Sequence, residues 1–209
     1  MKYGELTLGQ MEAIVNKLGG MDGAMKFLRD ELKLVAKNGK EAVIRALKNL
    51  APKGTVTVPM LGPTNVSDFF AGKLGVKIYL WDNFRSKVLN VASHTIACPE
   101  HKMDVFHLMQ NMYDSTIQKE IGATTYKSVD EYLASIISRI MMWKRKEVGH
   151  GLLDNGYANI EHIDLGDRVV AVHCSFGSDD GKWFFSCNGL GVRGRWRVGY
   201  QFSSPALGC

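Results

Sequence analysis

Residues 169–187 alternate in hydrophobicity from one residue to the next, which constrains the fold more than any other feature of the chain. Val170, Val172, Cys174 and Phe176 share one side of a strand, Trp183, Phe185 and Cys187 share one side of the next, and Ser178-Asp179-Asp180-Gly181 lies between them. Strand side chains point to opposite faces in turn. A one-residue slip would turn the whole set towards water, at roughly 1.5–3 kcal/mol per large apolar side chain. The pattern therefore predicts a β-hairpin with one buried face. Asp180-Gly181 reads as a type I′ turn, because glycine supplies a positive φ without steric cost. That register sets Phe176 opposite Phe185 and Cys174 opposite Cys187. Further on, Trp196, Val198, Tyr200 and Phe202 alternate with Arg195, Arg197, Gly199 and Gln201. This last strand is expected to add its apolar side to the same core, so residues 158–203 read as a four-stranded antiparallel meander with one apolar and one basic face.

Upstream, the periodicity changes from two to about 3.6 residues. Thr7 and Gln10 form a capping box for a helix carrying Leu8, Met11, Ile14, Val15 and Leu18, which Gly19-Gly20 ends. Asp22 caps a second helix, residues 41–50 read as a third, and Ala51-Pro52-Lys53-Gly54 reads as a linker. Short strands are expected at 55–59 and 76–81, a helical turn after Asp82, and helical character over 103–122 with a break at Tyr113-Asp114. Ser128 and Glu131 cap the clearest helix, whose Val129, Leu133, Ile136, Ile137, Ile140 and Trp143 recur at helical spacing. The expected fold class is α+β: a small N-terminal helical module (1–54), then a helix-covered antiparallel β-meander in an α+β domain (55–209).

The 209 residues are 45% hydrophobic and 22% charged, ordinary for a globular chain. No run of 18 apolar residues and no signal-peptide pattern occurs, so the expected compartment is the cytoplasm and no membrane partner is expected. Cys98, Cys174, Cys187 and Cys209 match neither a disulfide scaffold nor a zinc ribbon, and free thiols are expected. The net charge is +5. Residues 1–54 hold ten Lys/Arg against six Asp/Glu, the remainder sixteen against fifteen. Such a balance suits a polyanion without specifying one.

Candidate chemistry is sparse. Cys98-Pro99-Glu100-His101 with His107 lacks a second ligand pair for zinc. Cys98 with His94 or His173 would need a spatial pairing that spacing does not supply. Glu147, His150 and Asp154 sit at a helix end and a turn. The glycines of 189–194 lie between strands and not between a strand and a helix, against a phosphate-cradling loop. A helix-turn-helix reading of the first two helices offers only Lys26 and Arg29 as outward readers.

Several segments together resemble an uncharacterised protein family that recurs in bacteria of the candidate phyla radiation. They are residues 6–23, Asp82-Asn83-Phe84-Arg85, Glu120-Ile121-Gly122, residues 151–160 with Asn155-Gly156-Tyr157-Ala158-Asn159-Ile160, and residues 196–203. The resemblance implies no activity. The ending also resembles the last strand of C-type-lectin-like proteins diversified by retroelements, which implies ligand binding near a terminal Trp and Gly.

These observations favour a binding or interaction protein without catalytic activity, cofactor or metal. A lectin-like ligand-binding domain and a hydrolase are the alternatives. The expected ligand surface is the polar side of the meander, with His173, Lys182, Phe184, Arg193, Arg195, Arg197 and Gln201. Its expected partner is nucleic acid or another polyanion, through phosphate contacts and base stacking. A protein partner is expected at the N-terminal helices.

Overall fold

The computed structural model describes residues 20–28, 32–37, 41–46, 49–121, 125–190 and 195–206, with four isolated positions before them. The expected first helix and its capping box fall for the most part outside the described residues. After helix α1 (Gly20–Leu28), strands β1 (Leu32–Lys37) and β2 (Glu41–Ala46) form an antiparallel hairpin with Lys37 opposite Glu41. This corrects the helical reading of 41–50. Strand β3 (Leu50–Val58) then runs through residue 54, with a bulge between Pro52 and Gly54.

A mixed seven-stranded sheet dominates the molecule, in place of the expected four-stranded antiparallel meander. Its order is β3, β7 (His101–Leu108), β11 (Gln201–Pro205), β8 (Asn159–Asp164), β9 (Val169–Gly177), β10 (Lys182–Gly189) and β5 (Ile78–Leu80). The β11–β8 and β10–β5 pairs are parallel and the rest antiparallel. Strands β4 (Leu61–Asn65) and β6 (Thr95–Cys98) form a separate antiparallel pair. Among the described residues the further α-helices are α2 (Val66–Phe70), α3 (Asp82–Lys87), α4 (Asp114–Ile121) and α5 (Val129–Lys144), with a short 3-10 turn at Leu89–Val91.

The expected helix over 103–122 is thus a strand followed by the short α4. Met103 packs into the core on one side of β7, and Phe106 and Leu108 into a second cluster on the other. A strand covered on both faces loses the polar half of its alternation, so its period is hard to read.

The larger cluster unites Val170, Val172, Cys174, Trp183, Phe185 and Cys187 with Leu133, Ile136, Ile137 and Ile140 of α5 and with Phe69, Phe70 and Phe84. Trp143 of α5 meets Phe176 and Trp183 at ring-centroid distances of 4.7 and 5.3 Å. Ser128 Oγ accepts the Glu131 N–H at 3.2 Å, and Glu131 in turn accepts the Lys127 N–H at 2.9 Å, so the first turn of α5 is capped from both sides.

In the β9–β10 hairpin Phe185 lies opposite Cys174 and Cys187 opposite Val172. The two cysteines are therefore diagonal neighbours, not a facing pair. Gly181 has φ +58° whereas Asp180 has no positive φ, so residues 178–181 form a four-residue loop and not a type I′ turn. The register has moved by two residues, which preserves the buried face.

Candidate functional site

The structure divides the expected ligand residues among three places. His173, Lys182 and Phe184 share the sheet face away from α5. Gln201 points the other way and is buried, its Nε2 donating to Gly151 O at 2.6 Å and to Asn159 Oδ1 at 3.1 Å. Arg195 and Arg197 are exposed but lie off the sheet, and Arg193 lies outside the described residues. The last strand starts at Gln201, because Trp196 makes only an isolated bridge to Met112 and a turn with Gly199 at φ +87° follows. Arg195 sits over the Tyr113 ring at 5.0 Å. Trp196, Tyr200 and Phe202 pack in the second cluster, so they do not join the hairpin's core as expected.

Strand β5 completes the face that holds Lys182 and Phe184. Its parallel register sets Tyr79 beside Phe184. Lys77 stays attached one row earlier through Trp183 N–H to Lys77 O (2.9 Å), and Trp81 one row later through its own N–H to Phe185 O (3.0 Å). On β9, Gly177, Ser175 and His173 stand opposite Lys182, Phe184 and Ser186. The face therefore has a row with two lysines, a row with Tyr79 and Phe184, and a row with Trp81, Ser186 and His173. Rows on one side of a strand are roughly 7 Å apart.

Gly177 leaves room for the Phe184 ring, since a Cβ there would lie 2.7 Å from Phe184 Cε2. Tyr79 is 45% and Trp81 53% exposed. Tyr79 meets Trp81 at 5.4 Å with an interplanar angle of 84°, and Phe184 at 5.6 Å with 49°. No two of these rings are parallel, so mutual stacking does not use up their faces. Among the described residues neither Lys77 nor Lys182 pairs with a carboxylate. The sequence reading missed Lys77, Tyr79 and Trp81 as site residues. Their signal was the polar half of the 76–81 alternation, which could be assigned to a face only once β5 was placed beside β10.

His173 contributes no charge here at neutral pH. Burial holds its imidazole down at about 4, partly offset by Asp114, and its ring lies 5.2 Å from Trp196. Asp114 Oδ1 meets the Trp196 indole N–H at 2.6 Å and His162 Nε2 at 2.8 Å, which anchors the segment before β11 to the sheet.

The enzyme alternative finds no assembled site among the described residues. His94 contacts Asn65 and Thr95, not a carboxylate. Burial pushes the Cys98 thiol up, away from the nucleophilic thiolate. His101 does lie between Ser135 Oγ (3.0 Å) and Pro99 O (3.1 Å), a base-and-orienter geometry. Yet Ser135 is fully buried beneath Tyr126 and Met103. Glu147 pairs with Arg145, His150 Nδ1 accepts the Leu152 N–H, and Asp154 accepts the Trp143 indole N–H, so this trio is dispersed. A cleft of about 490 Å³ is lined by Lys87, Lys127 and Arg168 but equally by Asp130, Asp164 and Asp167, whose formal charges cancel. No group of three or more His, Cys, Asp or Glu among the described residues could hold a metal ion, and no helix among them is long and apolar enough to cross a membrane.

Comparison of the chain with models of protein families, with curated proteins and with solved structures finds no match.

Proposed function

We propose that this chain is a cytoplasmic, non-catalytic binding protein that holds an anionic polymer across the face of β9, β10 and β5. One observation carries the reading: two lysines without carboxylate partners among the described residues stand one row from the partly exposed Tyr79 and Phe184 rings and two rows from Trp81, on the same sheet face. Lysine supplies a mobile point charge for phosphate or sulfate groups, and releasing the polymer's counterions makes such contacts salt-dependent. The sheet fixes the spacing of these groups, so binding needs little rearrangement.

The test is fluorescence anisotropy with a labelled 12-residue oligothymidylate, read between 50 and 200 mM salt. Lys77→Glu with Lys182→Glu should weaken binding and lower the slope of log K against log salt by about 1.4, given about 0.7 per phosphate contact on a single strand. Arg195→Ala with Arg197→Ala should leave that slope nearly unchanged. A lysine double variant that binds with the parent's affinity and slope contradicts the reading.

A further inference from the structure

We infer that the polymer held on this face is a single-stranded nucleic acid whose bases stack on Trp81 and on the Tyr79–Phe184 pair. This inference rests on the polyanion reading and specifies its ligand. The face alternates chemistry by row: cations at Lys77 and Lys182, then two aromatic rings, then Trp81. A polysulfate or polyphosphate would use the first row and leave the rings wet. A duplex offers phosphates but keeps its base faces in its own stack. An unpaired strand presents both, a charged backbone and flat bases free to lie on aromatic rings.

The state of the rings supports the same ligand. Tyr79 and Trp81 are about half exposed, and neither ring is closed off by a parallel neighbour. Phe184 is held over Gly177, where any larger residue would collide with it. In the third row Ser186 lies buried beside Trp81. Asn83 Nδ2 donates to Ser186 Oγ at 3.0 Å, which ties α3 to the edge of β10 and fixes the chain just after Trp81. A neutral oligosaccharide could stack on the same rings but would give the two lysines nothing to neutralise.

The experiment compares five fluorescent probes on the intact chain: a 12-mer oligothymidylate, an abasic 12-mer with the same backbone, a 12-base-pair duplex, a polyphosphate and a neutral oligosaccharide. The oligothymidylate should bind most tightly. Trp81→Ala and Tyr79→Ala should each weaken it about 5- to 150-fold, the range expected for losing one stacked base. The same variants should leave abasic-strand and polyphosphate binding within about twofold, and Trp81→Phe should retain most of the oligothymidylate affinity. Circular dichroism of each variant monitors folding, which these partly exposed positions should not disturb. Equal binding of abasic and oligothymidylate strands, with no effect of the aromatic variants, overturns the inference while the lysine variants still test the polyanion reading. If binding to every anionic probe ignores the lysines, the polyanion reading itself fails. Tight binding of a neutral oligosaccharide that depends on Trp81 but not on Lys77 or Lys182 would overturn both.

Discussion

Arg139 offers the sharpest test of how α5 is joined to the sheet. Its guanidinium is fully buried and every nitrogen is engaged: Nε donates to His150 O (3.1 Å), Nη1 to Glu161 Oε1, and Nη2 to Gly151 O (2.7 Å) and Ser203 Oγ (3.3 Å). The Glu161 side chain is 2% exposed, and among the described residues its carboxylate keeps, apart from Arg139, only the Ser203 hydroxyl at 2.8 Å. Arg139→Met would preserve much of the volume but strand a buried carboxylate. Removing one partner of a buried pair typically costs about 3–5 kcal/mol. A natural domain holds only about 5–15 kcal/mol in total. With an m-value of about 2–3 kcal/mol/M, the urea midpoint should drop by at least about 1 M. Adding Glu161→Leu should restore at least half of the loss, because the desolvated charge is then gone. The reasoning is refuted if Arg139→Met lies within about 1 kcal/mol of the parent, or if the double variant is no more stable than the single one.

Acid stability should follow His173. Its folded value of about 4 lies below the unfolded value of about 6.5, so the unfolded chain binds the extra proton between them. Stability is complete above about pH 6.5 and falls towards pH 4, by up to about 3 kcal/mol from this residue. Denaturation midpoints across that window should flatten in His173→Gln, while His107 and His150, also held down by burial, sustain part of the slope. Ile137→Ala should cost about 2–5 kcal/mol, since the side chain is fully buried on the core-facing side of α5; an unchanged thermal midpoint would show that α5 does not cover the core. In the hairpin, cross-strand nuclear Overhauser contacts should link Cys174 to Phe185 and Cys187 to Val172, and strong Cys174–Cys187 backbone contacts would restore the Asp180-Gly181 register instead.

The sequence shows the buried side of the hairpin because parity is costly to break and a two-residue shift does not break it. It does not reveal the register, since the acidic loop permits either a two-residue or a four-residue turn. Asn38-Gly39 between alternating residues is the same kind of turn signal as Asp180-Gly181. Taking residues 41–50 after it as a helix hid the β1–β2 hairpin. Strand β7 was obscured by having both faces covered, and Gln201 was assigned outward because the turn at Gly199 was not visible as an interruption of the alternation. The candidate site was half legible. Lys182 and Phe184 were found from their own strand, whereas Lys77, Tyr79 and Trp81 became neighbours only through a parallel pairing across about a hundred residues.

Photo-cross-linking places the ligand most directly. A 12-mer containing 4-thiothymidine, irradiated on the intact chain at low salt and mapped by mass spectrometry of proteolytic peptides, distinguishes the two exposed basic and aromatic surfaces. Adducts on Tyr79, Trp81 or Phe184 are expected, with competition by unlabelled oligothymidylate. Adducts confined to Tyr113 and the Arg195–Arg197 segment, or adducts that unlabelled strand does not compete away, would contradict binding across β9, β10 and β5.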